Sequence, residues 1–149
     1  MEVTSGDKAR LFTTKEANAL VPALQLSFAA IGRIREEIES MLSGLAGGNA
    51  VHLVEVLRGE TSPSAEELPR FERLQELIAE LGQSVDGLIS MGVLVHELDP
   101  GQVDLPAIRD ERVVMLCWQY GEPQVAWYHE LEQDFEDRRP LPEAPLHLH

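Results

Sequence analysis

Apolar residues at heptad spacing run through the first third of this chain and leave it few folds to adopt. Ala17, Leu24, Ile31, Ile38 and Leu45 fall on one line, Leu20, Ile34 and Met41 on the next, and Val21, Phe28 and Leu42 widen the stripe. Arg33, Glu36, Glu37 and Glu39 fall largely outside it. Thr13-Thr14-Lys15-Glu16 supplies a capping box at the start, and Gly47-Gly48 supplies a stop, so the pattern predicts a helix over about 14–46. Pro22 removes one backbone donor inside it, which predicts a kink near Asn18 to Pro22 without a break.

A second stripe, Phe71, Leu74, Leu77, Ile78, Leu81, Val85, Leu88 and Ile89, predicts a partner helix over about 64–91. Ser64 and Glu67 form its capping box, and Gly92 is its stop. The connector 49–61 holds a short apolar piece, Val51 to Leu57, that periodicity alone assigns neither to helix nor to strand. Helices of about 30 and 28 residues would reach roughly 40 to 45 Å, at 1.5 Å per residue. A hairpin of two such helices covers only part of either stripe. The remaining residues, or a second copy of the chain, must cover the rest, and the expectation is a homodimer in which two hairpins form a four-helix bundle.

Beyond Gly92 the period changes. Val93 to Leu98 and Arg112 to Trp118 are rich in β-branched and large apolar residues, Asp99-Pro100-Gly101 is a turn signal, and Gly121-Glu122-Pro123 leads into Gln124 to His129. These segments predict a short antiparallel β meander over about 93–130, placing the chain in the α+β class with helix dominant. At 149 residues, 44% of them hydrophobic, it is expected to form a single domain over 1–149, with flexible arms at 1–11 and 142–149.

Composition narrows the partners. A net charge of −14 repels phosphate backbones and anionic lipid surfaces, which argues against nucleic acid and membrane alike. The N-terminal residues lack the apolar run of a signal peptide, and a lone cysteine has no intramolecular partner; a cytoplasmic protein is expected.

Thr14-Lys15-Glu16-Ala17-Asn18-Ala19-Leu20-Val21-Pro22, Gly101-Gln102-Val103-Asp104-Leu105-Pro106, Cys117-Trp118 with Gly121-Glu122, His129-Glu130 and Arg138-Arg139-Pro140-Leu141 follow one another in an order and spacing that resembles the prokaryotic domain-of-unknown-function family 2203. The resemblance runs from about Phe12 to Leu141. It implies a small bacterial protein on a long helical hairpin comparable to ferritin-like bundles, and it implies no activity. Asp110-Glu111 stands where the family has an Asp-Gly turn, and Glu136-Asp137 where it has Ala-Gly.

The unusual residue types gather between Cys117 and Leu141. His129 is the leading metal-ligand candidate, with Asp104, Glu122 and Glu130 as carboxylates near it in the pattern. Strand alternation sends His129 and Glu130 to opposite faces, so both cannot easily hold one ion. The structural alternative is a buried histidine bonded to a backbone carbonyl, and it outweighs ligation. Cys117 lacks a resolving cysteine and sits in an apolar run, which favours an inert, buried thiol. Arg138 and Arg139 are candidates for binding a carboxylate or phosphate, weighed against internal salt bridges to Asp134, Glu136 or a helix carboxylate. Trp118, Trp127 and Tyr128 are expected to pack strands on helices. His52 and Glu55 form the only His/Glu pair at helical spacing near the bundle, in an order reversed from the di-iron Glu-x-x-His motif.

Three functional classes follow, in this order: a dimeric structural or interaction protein with a protein partner, a divalent-metal protein centred on His129, and an enzyme using Glu122, His129 and Arg138 on a small anion. No residue is assigned a catalytic or organic-cofactor role.

Overall fold

A computed structural model describes residues 10–46 and 50–143. Three helices, α1 (Thr14–Ala46), α2 (Ala50–Leu57) and α3 (Leu68–Ser90), precede five strands, β1 (Leu94–Leu98), β2 (Gly101–Arg109), β3 (Arg112–Gln119), β4 (Trp127–Glu130) and β5 (Arg139–Pro140). The strands form one antiparallel sheet in the order β1-β2-β3-β4-β5. The fold is α+β.

Both capping boxes are formed. Glu16 N–H donates to Thr13 Oγ1 at 3.0 Å while Thr13 N–H donates to the Glu16 carboxylate at 2.9 Å, and Ser64 and Glu67 reciprocate in the same way at 3.1 Å each. α1 runs unbroken through Pro22. Asn18 accepts the Val125 N–H on its side-chain oxygen at 2.7 Å. α3 starts later than the capping box suggests, at Leu68, because residues 65–67 form a turn before it. It ends where Gly92 adopts φ +89, a conformation open to glycine. Val51 to Leu57 is helical, as part of α2.

The chain divides into two compact units: residues up to Ala29 together with Asp86 onward, and Ala30–Val85. In the first, the N-terminal half of α1 lies on one sheet face. Ala17, Val21, Leu24 and Phe28 are buried there with Val103, Leu105, Val114, Leu116 and Trp118. The Phe28 ring sits 6.0 Å from that of Trp118, and Gly101 passes so close to it that a Cβ would come within 2.5 Å of Phe28 Cδ1. In the second unit, Leu53, Val56 and Phe71 form a small core with Leu42 against it, and Arg73 of α3 bonds Glu37 of α1.

The ferritin-like four-helix bundle, expected from two hairpins in a dimer, is not formed within one chain. The described residues carry three helices, one only eight residues long, and the apolar stripe at the start of α1 is covered by the sheet. The meander also extends past residue 130, because β5 returns to β4. α1 is long and apolar enough to cross a membrane by composition alone, with an 18-residue window of mean hydropathy 1.2, and the apolar residues at its start, Ala17, Val21, Leu24 and Phe28, are buried against the sheet.

The β2–β3 turn is tight even though Asp110-Glu111 stands there in place of Asp-Gly. Arg109 and Arg112 face each other across a two-residue loop, and Asp110 (φ 52) and Glu111 (φ 66) both take positive φ, the pattern of a type I′ hairpin made without glycine.

Candidate metal centre

The register places three ligand-type side chains together on the sheet face turned away from α1. Asp104 of β2 pairs with Cys117 of β3, and Cys117 pairs with Trp127 of β4, two residues before His129. Alternation along the strands then points Asp104, Cys117, Trp127 and His129 the same way. Asp104 Oδ, Cys117 Sγ and a His129 ring nitrogen lie within 4.8 Å of one another. Cys117 is 0% exposed and His129 4%.

The two nitrogens of His129 have different neighbours. Nδ1 lies 2.7 Å from the Glu130 carbonyl oxygen, and Nε2 lies 3.2 Å from Asp104 Oδ1. A carbonyl only accepts, so Nδ1 carries a hydrogen. Nε2 and Asp104 then face each other as two acceptors that need one cation, a proton or a metal ion, between them. Burial, helped by the negative charge of Asp104, pushes the Cys117 thiol well above its ordinary range, so it is a neutral thiol here. Its Sγ–H donates to the Met115 carbonyl at 3.5 Å.

Glu122 does not join the cluster. Its carboxylate accepts two bonds from Arg138, at 2.6 and 3.2 Å, and one from the Gln119 N–H at 2.8 Å. The Arg138 guanidinium lies over both Trp127 and Phe135, 5.0 and 4.9 Å from their ring centres, and Phe135 stacks on His96 at 5.5 Å.

Glu130 is on the opposite face, as alternation requires. It accepts from Arg112 at 2.7 and 2.9 Å and from Arg139 at 3.0 Å, and these cations, Arg112 foremost, hold its carboxyl below the usual range. Tyr128 lies between Arg109 and Arg139 on that face. Of the four ligand candidates, His129 and Asp104 are therefore brought together, and Glu122 and Glu130 are each engaged by arginine. Arg138 and Arg139 both form internal salt bridges, with Glu122 and Glu130 in place of Asp134 and Glu136. Trp118 packs against the helix as expected, whereas Trp127 faces the other side of the sheet. His52 pairs with Glu67, at 3.0 Å, and this contact lowers the Glu67 carboxyl.

Cys117 is the member of the cluster that sequence reasoning set aside. The signal for it lies in the pairing of residue 104 with residue 117, which the two-residue turn at Asp110-Glu111 determines: each step outward from that turn adds one residue on either strand.

The model of the uncharacterized conserved protein family DUF2203 matches residues 10–141. The chain belongs to this family. The DUF2203 match takes in α1, the whole sheet and all three residues of the cluster, so the site lies within the family's own domain. No curated protein and no solved structure matches the chain significantly.

Proposed function

We propose that this chain is a metal-binding protein whose centre, formed by Asp104 Oδ1, Cys117 Sγ and His129 Nε2, takes a divalent transition ion, zinc by preference. The observation that carries this reading is the arrangement of His129. Its Nδ1–H is bonded to a backbone carbonyl, the outer-shell contact that orients metal-bound histidines, and this turns the Nε2 lone pair onto a carboxylate beside a thiol.

The donor set suits zinc. Tetrahedral bonds of about 2.0 to 2.3 Å to oxygen, nitrogen and sulfur put the ligand atoms roughly 3.3 to 3.6 Å apart. The 3.2 Å between His129 and Asp104 is already at that spacing, and the widest separation in the cluster, at most 4.8 Å, requires contraction of little more than about 1 Å. A carboxylate and a thiolate would cancel the charge of a divalent ion, which matters where side chains are buried this deeply. Three protein ligands leave a fourth position for water or a small ligand, the pattern of zinc sites that do chemistry.

Cobalt is the direct probe. Untagged protein titrated with Co²⁺ should develop a thiolate-to-metal charge-transfer band saturating at one ion per chain, and Zn²⁺ should bleach it. Cys117→Ser should bind without that band, and His129→Asn should bind weakly or not at all. Failure of the folded wild-type protein to take up cobalt or zinc stoichiometrically would overturn the reading.

Self-association is a second reading, favoured by one feature of the Ala30–Val85 unit. Ile34, Ile38, Met41 and Leu42 of α1 stay half-buried and Ile78 of α3 stays exposed, although all five continue the apolar stripes. Pairing of this unit with a second copy would supply the four helices that one chain lacks. Light scattering after size exclusion decides it; a monomer at micromolar concentration refutes it.

A further inference from the structure

Asp104, its side chain 14% exposed, is the cluster's contact with solvent, whereas Cys117 and His129 are buried, so an ion held by all three must pass what covers them. The backbone of the sheet lies behind them and the α1-facing core lies behind the sheet. In front, the segment between β4 and β5 crosses the face, held by the Phe135–His96 stack and by Arg138.

We propose that Arg138 is the bolt of a gate over the Asp104–Cys117–His129 centre and Glu122 its fixed catch, the pair acting as positioning residues that control how fast metal enters and leaves. The inference rests on the metal-binding reading above. Glu122 is anchored from several sides: its carbonyl accepts from Trp118 Nε1 at 3.0 Å and from Gln25 Nε2 at 3.2 Å, and its carboxylate accepts the Gln119 N–H. Arg138 is held by that carboxylate and by two aromatic faces. One of those rings, Trp127, is directly across from Cys117 in the β3–β4 register and two residues from His129. Withdrawing the guanidinium therefore loosens the cover over the sulfur without moving a ligand. The pair is part-buried, with side chains 19% and 23% exposed, so salt weakens it, though less than it weakens a surface pair.

The sheet itself gives the cluster no comparable freedom. Asp104 and Cys117 are paired within a two-stranded register running without interruption from Gln102 to Arg109, so the ligands stay in place while the segment carrying Arg138 opens.

The test is the rate at which Zn²⁺-loaded full-length protein gives up its ion to a chromogenic chelator, measured where the rate no longer depends on chelator concentration. Wild type should release slowly, and release should accelerate severalfold between low and molar salt as the part-buried ion pair is weakened. Glu122→Gln, which keeps the shape and the Gln119 contact, should release at least tenfold faster at low salt, bind the same one ion per chain, and lose the salt response. Arg138→Lys should fall between the two, because a point charge replaces the fork. Release from Glu122→Gln at the wild-type rate overturns the gate. Should that variant not fold, the wild type alone decides, and release that ignores salt overturns it. These outcomes are separate from the metal reading, which fails only if wild type binds no ion at all.

Discussion

His129 Nε2 lies 3.2 Å from Asp104 Oδ1 while the opposite ring nitrogen is committed to the Glu130 carbonyl. Burial and the charge of Asp104 keep a proton on the Cys117 sulfur in the metal-free cluster, and an ion that takes the thiolate must displace it. Zinc binding near neutral pH should therefore release about one proton more per ion from the wild type than from Cys117→Ser. Calorimetric titration in buffers of different ionisation enthalpy reads the number as a slope. No proton release on stoichiometric binding would place the ion elsewhere.

The thiol also sets an alkaline limit on the metal-free fold. Burial first, and Asp104 second, raise the Cys117 thiol in the folded state, while in the unfolded chain it ionises near about 8.5. Above that value the unfolded state sheds a proton the folded state keeps, so this contribution to stability is full at neutral pH and declines as pH rises. The decline approaches about 1.4 kcal/mol per pH unit for one proton. Denaturant midpoints of metal-free wild type should fall from pH 8.5 to 10, and Cys117→Ser should lose the part of that slope due to one proton. Equal slopes in both proteins would show that Cys117 is not protected.

Much of this architecture is legible along the chain because it is local. Thr13 and Glu16, or Ser64 and Glu67, meet within one helical turn, and the opposite faces of His129 and Glu130 follow from alternation alone. The cover of the α1 stripe is not local: Phe28 meets Trp118 and Gly101 only after the sheet has folded onto the helix, so a stripe that reads as half of a bundle is used as one side of a helix–sheet core. The cluster follows the same division. Asp104 and His129 are recognisable by type, but Cys117 joins them only through β-sheet register. Glu122 and Glu130 leave the ligand set because arginines distant in sequence, or across a strand, reach them first.

The β2–β3 turn carries strain that a single residue can relieve. Glu111 sits at φ 66 in a type I′ position, where a side chain costs about 1 kcal/mol relative to glycine's freedom there. Glu111→Gly should stabilise the protein by roughly 0.5 kcal/mol, the greater entropy of glycine in the unfolded chain offsetting part of the relief. The same substitution at Glu60, which has no positive φ, should not stabilise. Urea midpoints compared at constant slope check both. Because this turn sets the register of Asp104 against Cys117, Glu111→Gly should leave cobalt binding intact.

Gly101 marks a close approach of sheet and helix. A Cβ there would lie 2.5 to 2.8 Å from three atoms of the Phe28 ring, nearer than real contacts allow, and the ring is itself wedged against Trp118 and Tyr120. Gly101→Ala should therefore cost about 1 to 3 kcal/mol, in the range of overpacked cores. Phe28→Leu removes the clashing edge, so it should be destabilising alone, yet Gly101→Ala should cost markedly less in its presence. A double-mutant cycle on urea unfolding measures that coupling. Strict additivity would mean that the helix does not seat on the sheet through this pair.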